Sequence, residues 1–154
     1  MTNKKVNIRA VPVQESLESA LEGGFSELND LMNECQEIVD NATEALQQTQ
    51  RIQTLEQTAS ELYQSDSAPD IPNALCEADL QVNYTEDRRK SKSTSRATRC
   101  AEACAKLYAV IAAVELFLET NESADEEGEI QSFIDEVQEM IDSAEGCEFP
   151  GMFG

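Results

Sequence analysis

Apolar residues recur along much of the chain at alternating intervals of three and four, which is the spacing of one face of an α-helix. The longest series is Leu28, Leu31, Cys35, Ile38, Ala42, Ala45, Thr49 and Ile52, and after a three-residue slip it continues through Leu55, Ala59 and Leu62. An unbroken series of this length predicts one long helix over about residues 25–63. Such a helix is not stable alone in water, so it must pack against another element.

A second series of the same spacing lies in the other half of the chain. Its members are Cys100, Cys104, Leu107, Ile111, Val114 and Leu118. Thr85 is a residue type that caps helix starts, and the two acids that follow it suit a first helical turn. The pattern therefore predicts a second long helix over about residues 85–119, antiparallel to the first.

Two shorter helices complete the expected set. Pro12 precedes an amphipathic segment at about 14–22, and Gly23–Gly24 would end it. A last amphipathic helix is predicted over about 129–145, where seven apolar residues share one side, and Gly146 would end it. Both helices are expected to thicken the long pair.

Loops and tails separate these helices. Residues 64–84 have the composition of a connecting loop, in which residues 73–84 allow either a short helix or an irregular connection. A basic N-terminal tail (1–11) and an apolar C-terminal tail (146–154) flank the helices, and the latter is either packed on the core or offered to a partner. The fold predicted for residues 1–154 is all-α and a single domain: a helical hairpin or bundle with two long antiparallel helices.

The composition favours this helical fold and removes much enzyme chemistry. The chain of 154 residues has few aromatics (5%), and it contains no His and no Trp. Without His there is no Ser-His-Asp or Cys-His nucleophile and no imidazole general base. No nucleotide-binding glycine motif or calcium loop is visible. We expect a non-enzymatic protein with no catalytic residue, no cofactor and no metal site.

The chain has five cysteines, an odd number, and its N-terminus lacks the apolar run of a signal peptide. This combination indicates reduced thiols in the cytoplasm, which is the host cytoplasm if the source is viral. Cys100 and Cys104 lie one helical turn apart, and a metal site would need Cys76 and Cys147 as further ligands. The favoured interpretation of the pair is small buried residues on an apolar helix face.

Residues 101–118 are the most apolar segment of the chain. Glu102, Lys106 and Glu115 interrupt it, and its uninterrupted apolar part covers only residues 107–114. A helix that spans a membrane needs roughly 20 apolar residues. We therefore expect a buried core helix here, and no membrane partner.

The charges of the chain are strongly segregated. The formal net charge is -20, and six of the eleven Lys and Arg residues fall between Arg88 and Arg99. Four of them share one helix face beside the second apolar series, and we name this the basic face: Arg88, Lys92, Arg96 and Arg99. Bases in that position favour charge neutralisation across a helix pair, within a chain or between chains. Docking to another protein is an alternative, and the acidity of the whole chain disfavours direct nucleic-acid binding.

The acids also form stripes at helical spacing. The N-terminal acidic stripe comprises Glu27, Asp30, Glu34 and Glu37, and the C-terminal acidic stripe comprises Asp135, Glu139 and Asp142; Glu15, Glu18 and Glu22 repeat the spacing. Carboxylates on one helix face lie about 5–6 Å apart, which is of the order of the phosphate spacing along a DNA strand. The stripes suit a basic partner, and a plainly solvated acidic face is the simpler alternative.

Together these features favour an acidic interaction module. We expect an inhibitor or antagonist that binds a positively charged, nucleic-acid-binding surface of another protein, as a nucleic-acid mimic would, without binding nucleic acid itself. Its size, charge and helicity are like those of inhibitors that phages and mobile elements use against host defence, an analogy without a shared motif. The alternatives are a self-associating coiled-coil scaffold, and an adaptor or chaperone.

Overall fold

Helices form most of the protein. The structure, a computed structural model, describes residues 10–62, 67–87, 95–121 and 128–150. Within those residues the elements are β1 (Ala10–Ser16), α1 (Leu17–Asn41), a short 3₁₀ helix (Leu46–Gln48), α2 (Gln50–Glu61), α3 (Asn73–Ala78), β2 (Gln81–Asp87), α4 (Arg96–Thr120) and α5 (Glu129–Glu145). The prediction of a mainly helical fold is confirmed, and the bounds of α5 agree with those expected from its apolar pattern.

The helix predicted at about 14–22 is wrong at both ends: residues 17–22 are helical, but they are the start of the longer helix α1. Residues 14–16 belong to β1, and α1 begins at Leu17, where the Ser16 side chain accepts a hydrogen bond from the Ser19 N–H at 3.1 Å. The Gly23–Gly24 pair does not end the helix. Gly24 is buried inside α1 and faces α4, where a Cβ would lie 2.6 Å from Leu107 Cδ2. The glycine is there because α4 approaches closely.

The single helix predicted over about 25–63 is also wrong, because the chain turns between Asn41 and Gln50. Thr43 accepts a hydrogen bond from the Leu46 N–H, and Thr49 caps α2 by accepting one from the Ile52 N–H, both at 3.3 Å. Such side-chain bonds to the backbone compete with a continuous helix. The three- and four-residue spacing of the apolar series continues through the turn. The spacing therefore did not reveal that the segment folds as two helices that pack against each other.

A two-stranded antiparallel sheet corrects the all-α prediction. In the loop predicted at 64–84, α3 is the short helix that the sequence allowed, whereas residues 81–84 belong to β2. β1 pairs with β2, and Val13 lies opposite Tyr84. Val82 is fully buried while its neighbours Gln81 and Asn83 are exposed, which is the alternation expected of a strand. Residues 10 and 11 of the predicted basic tail also belong to this sheet.

The second long helix starts later than the predicted residue 85. Thr85 lies in β2, and Ser95 caps α4 by accepting a hydrogen bond from the Thr98 N–H at 3.2 Å. α4 packs against α1 on one side, α5 on another, and β2. α1 and α4 are antiparallel, because the start of α4 meets the C-terminal half of α1 and Lys106 lies beside Gly23. The core between these helices includes Leu21, Leu28, Leu31, Leu107, Val110, Val114, Val137, Met140 and Ile141.

A second, smaller apolar cluster lies between α1 and α2. It contains Cys35, Val39, Ile52, Leu55 and Ala59. The C-terminal segment crosses this region: the buried Thr58 hydroxyl donates to the Glu148 carbonyl at 2.6 Å, and Phe149 packs against both clusters. The described part of the tail, up to residue 150, is therefore packed on the core.

Candidate interaction surface

Arg96 and Arg99, the two described members of the basic face, meet acids of the same chain where α1 and α4 cross. Arg99 holds Glu34 with two parallel hydrogen bonds, from Nη1 to Oε1 at 2.9 Å and from Nη2 to Oε2 at 2.7 Å. Its Nε donates to Glu27 Oε2 at 2.5 Å. Arg96 donates from Nε to Glu34 Oε1 at 3.2 Å. Glu34 thus accepts three charge-assisted hydrogen bonds from two bases of its own chain.

This ion cluster is partly open to solvent. The Arg99 and Glu34 side chains are 28% and 38% exposed. The hydrogen bond from Arg99 holds the pKa of the Glu34 carboxyl below its ordinary value, against the opposing effect of burial. Solvent screens pairs at such positions, so their contribution to stability is modest. Arg88 and Lys92, the other two members of the basic face, lie outside the described residues.

The N-terminal acidic stripe is divided by these contacts. Glu27 and Glu34 turn toward α4 and are half-buried, whereas Asp30 and Glu37 are exposed. The two pairs are each separated by seven residues, so each keeps its own line along α1. Only Asp30 and Glu37 in this stripe are both exposed and outside the described ion pairs with α4.

The C-terminal acidic stripe lies wholly on the outer face of α5. Asp135, Glu139 and Asp142 are exposed, while the opposite side of the helix is buried from Ile130 to Ala144. Gln131 and Gln138 donate hydrogen bonds to Asp135 and Asp142 at 3.0 and 2.9 Å, which orients these carboxylates. The exposed side of α5 carries three further acids, Glu129, Glu136 and Glu145, and the helix contains no Lys or Arg. Sequence reasoning had left these three out of the stripe.

A cleft between α1, α4 and β2 was not expected from the sequence. Its volume is about 410 Å³, and its walls include Glu27, Tyr84, Arg99 and Lys106. The Lys106 ammonium lies 5.2 Å from the centre of the Tyr84 ring, within the range of a cation–π contact. The cleft depends on β2, whose alternation of Val82 and Tyr84 with polar residues was the sequence signal that could have indicated it.

Glu15 is held at one end of this sheet rather than on a helix. The Tyr84 hydroxyl and the Ser19 hydroxyl both donate to its carboxylate. Burial alone would raise the pKa of Glu15, but these hydrogen bonds and the nearby Lys106 charge lower it overall. The acid thus links the two strands and the start of α1, and Glu18 and Glu22 remain exposed on α1.

Four of the five free thiols lie where α1, α4 and the C-terminal segment meet. Cys35, Cys100 and Cys104 are buried, and Cys147 is half-buried. Burial raises the pKa of Cys35, and it raises that of Cys147 to about 12. Cys100 and Cys104 hydrogen-bond to each other, which lowers the pKa of Cys100 and raises that of Cys104. Among the described residues, no group of three or more Cys, Asp or Glu side chains is arranged to hold a metal ion.

Comparisons with protein-family models, curated proteins and solved structures found no match. The function of the chain must therefore be argued from its surfaces. In the described part of the chain, no helix combines the length and the apolar character needed to cross a membrane.

Proposed function

We propose that the protein is an acidic interaction module that binds a positively charged, nucleic-acid-binding surface of another protein, and that α5 is the principal contact. The observation that carries the proposal is the outer face of α5. Asp135, Glu139 and Asp142 are exposed there in one line, and no base on the same helix neutralises them. A basic partner would supply the missing counter-charges.

The rigidity of α5 supports this role. Seven apolar residues anchor the helix on its other side, from Ile130 to Ala144, so the carboxylates project from a fixed backbone. A surface that is ordered before binding loses less conformational entropy when a partner docks. Carboxylates one turn apart, about 5–6 Å from each other, offer a basic groove a regular series of negative charges.

Asp30 and Glu37 on α1 are the second contact in this proposal. Their stripe is the weaker one, because Glu27 and Glu34 are engaged by Arg99 and Arg96. With a net charge of -20, the chain repels nucleic acid and competes with it for the same partner surface. An antagonist of a nucleic-acid-binding protein, as in counter-defence by phages or mobile elements, fits this behaviour.

The scaffold alternative receives less support from the packing. It requires the apolar series to mediate contacts between chains. Leu107, Ile111 and Val114 are instead buried against helices of the same chain. An oligomer would have to use another surface.

The test is capture of partners by the tagged full-length protein from an extract of its native cells, at about 100 mM salt. We expect a nucleic-acid-binding protein to be retained, and to be released both by duplex DNA or RNA and by about 500 mM salt, because charge carries the contact. The identity of the retained protein is read by mass spectrometry.

Two variants with equal charge make the test specific. Neutralising the C-terminal acidic stripe, with Asp135→Asn, Glu139→Gln and Asp142→Asn, should abolish retention. The matched control, Asp40→Asn, Glu56→Gln and Asp70→Asn, removes the same charges at other exposed sites and should retain the partner. Retention that is equal for both variants, or indifferent to salt and nucleic acid, would contradict the proposal.

A further inference from the structure

Three of the five cysteines line one groove of the protein. The groove lies where the start of α4 meets the end of α5 and the segment that follows it, and its volume is about 560 Å³. Cys100 and Cys104 belong to α4, and Cys147 follows α5. Cys35 is fully buried in the smaller apolar cluster and lies outside the walls of the groove. A small molecule in the groove therefore meets the first three thiols and not the fourth.

The sulfur atoms of Cys100 and Cys147 rest on neighbouring carbonyl groups of the last turn of α5. The Cys147 Sγ lies 3.2 Å from the Ser143 carbonyl oxygen, and the Cys100 Sγ lies 3.7 Å from that of Ala144. The Cys147 N–H also donates to the Ala144 oxygen, at 3.1 Å. Both cysteines are thus held at one point of the fold. Because Cys147 lies beyond the end of α5, its thiol can turn toward Cys100 without the movement of a helix.

Cys104 lies in the same groove but is unsuited to a disulfide with Cys100. The two residues are one turn apart on α4, and Cβ atoms at that spacing are about 5–6 Å apart. A disulfide needs Cβ atoms about 3.5–4.5 Å apart, so a bond between these two would distort the helix.

The contact between Cys100 and Cys104 has a different effect. The two thiols hydrogen-bond to each other, and this bond lowers the pKa of Cys100 against the opposing effect of burial. The thiolate is the form of cysteine that attacks an oxidant. Cys100 is therefore suited to react first, and Cys147 is placed to react with it second.

We infer that Cys100 and Cys147 are a redox-active pair that hydrogen peroxide converts into a disulfide. The Cys100 thiolate attacks one oxygen of the peroxide and becomes a sulfenic acid, while the O–O bond breaks and the other oxygen leaves as hydroxide, which takes up a proton to form water. The Cys147 thiol then attacks the Cys100 sulfur. An S–S bond forms, and the sulfenic oxygen leaves with the Cys147 proton as a second water molecule. Two thiols are oxidised and one peroxide is reduced to two waters.

The surroundings of the pair favour a small and neutral oxidant. Cys100 is only 5% exposed, so a bulky reagent is kept from its sulfur. The net charge of -20 repels anionic oxidants such as glutathione disulfide, whereas hydrogen peroxide carries no charge. The inference involves no partner protein and is therefore independent of the proposed function.

The test uses the full-length protein with Cys76→Ser, which removes the exposed thiol and so avoids disulfides between molecules through that site. The reduced protein at about 5 μM receives about 1 mM hydrogen peroxide for about one hour, and the remaining thiols are then blocked with N-ethylmaleimide. Digestion after Lys, Arg and Glu, without reduction, separates Cys100 from Cys104 at Glu102. Mass spectrometry should find the peptide of Cys100 joined to that of Cys147.

The disulfide should also stabilise the fold, because it ties the start of α4 to the end of α5 and closes a long loop of chain. We expect the thermal midpoint of the oxidised protein to lie about 5–10 °C above that of the reduced protein, measured by circular dichroism. Dithiothreitol should reverse both the cross-link and the increase.

Two further variants distinguish the partners of Cys100. Cys147→Ser should abolish the cross-link and leave a sulfenic acid at Cys100, which dimedone captures. Cys104→Ser is the matched control, since it makes the same change in the same groove and its hydroxyl still donates a hydrogen bond to Cys100; the disulfide should form. Circular dichroism of each reduced variant checks that it is folded.

Three results would overturn the inference. The first is a cross-link that joins Cys100 to Cys35 or to Cys104 in place of Cys147. The second is a peroxide-treated protein whose four remaining thiols all react with N-ethylmaleimide after denaturation. The third is a cross-link between Cys100 and Cys147 that forms between molecules and not within one, as the mass of the unreduced protein would show.

Discussion

Arg99 makes the densest set of polar contacts between α1 and α4. Its planar guanidinium satisfies Glu34 with two N–H groups and Glu27 with a third, a geometry that lysine cannot reproduce. Arg96 reaches Glu34 through a single N–H. Because Glu34 is the acceptor common to both bases, we expect its substitution to disturb the cluster more than the loss of Arg96 would.

Glu34→Gln should lower the free energy of unfolding by about 1 kcal/mol at pH 7, since the pairs are half-exposed and partly screened. Glu37→Gln is the matched control, as it makes the same change at an exposed site three residues away and should stay within about 0.5 kcal/mol of the wild type. Urea unfolding of both variants measures the difference. Equal stability of the two would show that the cluster contributes nothing.

The same pair of variants gives a pH dependence with a defined sign. The pKa of Glu34 is lowered on folding from an ordinary value of 4.5, so its stabilising effect is present above pH 4.5 and is lost as the pH falls through the folded-state pKa. The stability gap between wild type and Glu34→Gln should therefore close below pH 4.5. A gap that widens on acidification would have the wrong sign.

At the scale of the elements, the crossing of α1 and α4 depends on Gly24. A Cβ at this position would lie 2.6 Å from Leu107 Cδ2 and 2.7 Å from Leu107 Cγ, and Leu107 is fully buried. The atoms nearest to a Cβ at the neighbouring Gly23 all belong to the flexible Lys106 side chain, whose Nζ would lie 3.0 Å away and can move. Two adjacent glycines in one helix thus have different consequences for packing.

Gly24→Ala should destabilise the protein by about 1–2 kcal/mol, because overpacking costs more than the gain in helix propensity returns. Gly23→Ala gains the same helix propensity without overpacking the core, so it should be neutral or stabilise the protein by up to about 1 kcal/mol. Thermal unfolding followed by circular dichroism compares the two. If both alanines stabilise, α4 does not approach α1 as closely as the distance indicates.

The sequence was informative about helix faces and less so about where the chain turns. α5 was predictable because its apolar residues, its single buried side and Gly146 all agree. The turn after Asn41 was not, because the apolar series stays in register across it and the capping bonds of Thr43 and Thr49 are local. The sheet was missed because each strand is short and its partner lies some 70 residues away, so pairing leaves only a weak alternation in either strand.

For the candidate surfaces, too, the sequence predicted which residues share a helix face but not which residues they contact. The spacing of Arg96 and Arg99 predicted a shared face beside an apolar series, and spacing alone left open whose acids they meet. Identifying Glu27 and Glu34 required the antiparallel position of α4 on α1.

At the scale of the whole molecule, 31 acids stand against 11 Lys and Arg residues, and the described ion pairs gather on one side of α1. A chain of net charge -20 is destabilised by its own repulsion, and salt screens that repulsion at long range. The ion pairs between α1 and α4 are short and partly buried, so salt weakens their attraction less than it weakens the long-range repulsion. Screening should therefore favour the folded state overall.

Raising the salt concentration from about 20 mM to about 500 mM should increase the thermal midpoint by about 4 °C, measured by circular dichroism. The variant with a neutralised C-terminal acidic stripe has less repulsion to screen and should show a smaller increase. A midpoint that falls with salt would mean that the ion pairs outweigh the repulsion.

Because β1 pairs with a strand far along the chain, this part of the fold cannot form until late in synthesis. On the ribosome α1 is synthesised long before β2 and α4. The side of α1 that holds Leu21 and Leu28 therefore stays uncovered until those later residues are available to pack against it. The cluster between α1 and α2 can close early, because all its members precede residue 60. During this interval the exposed Glu18 and Glu22 give each nascent chain a like charge beside its uncovered apolar side, which opposes association between neighbouring nascent chains.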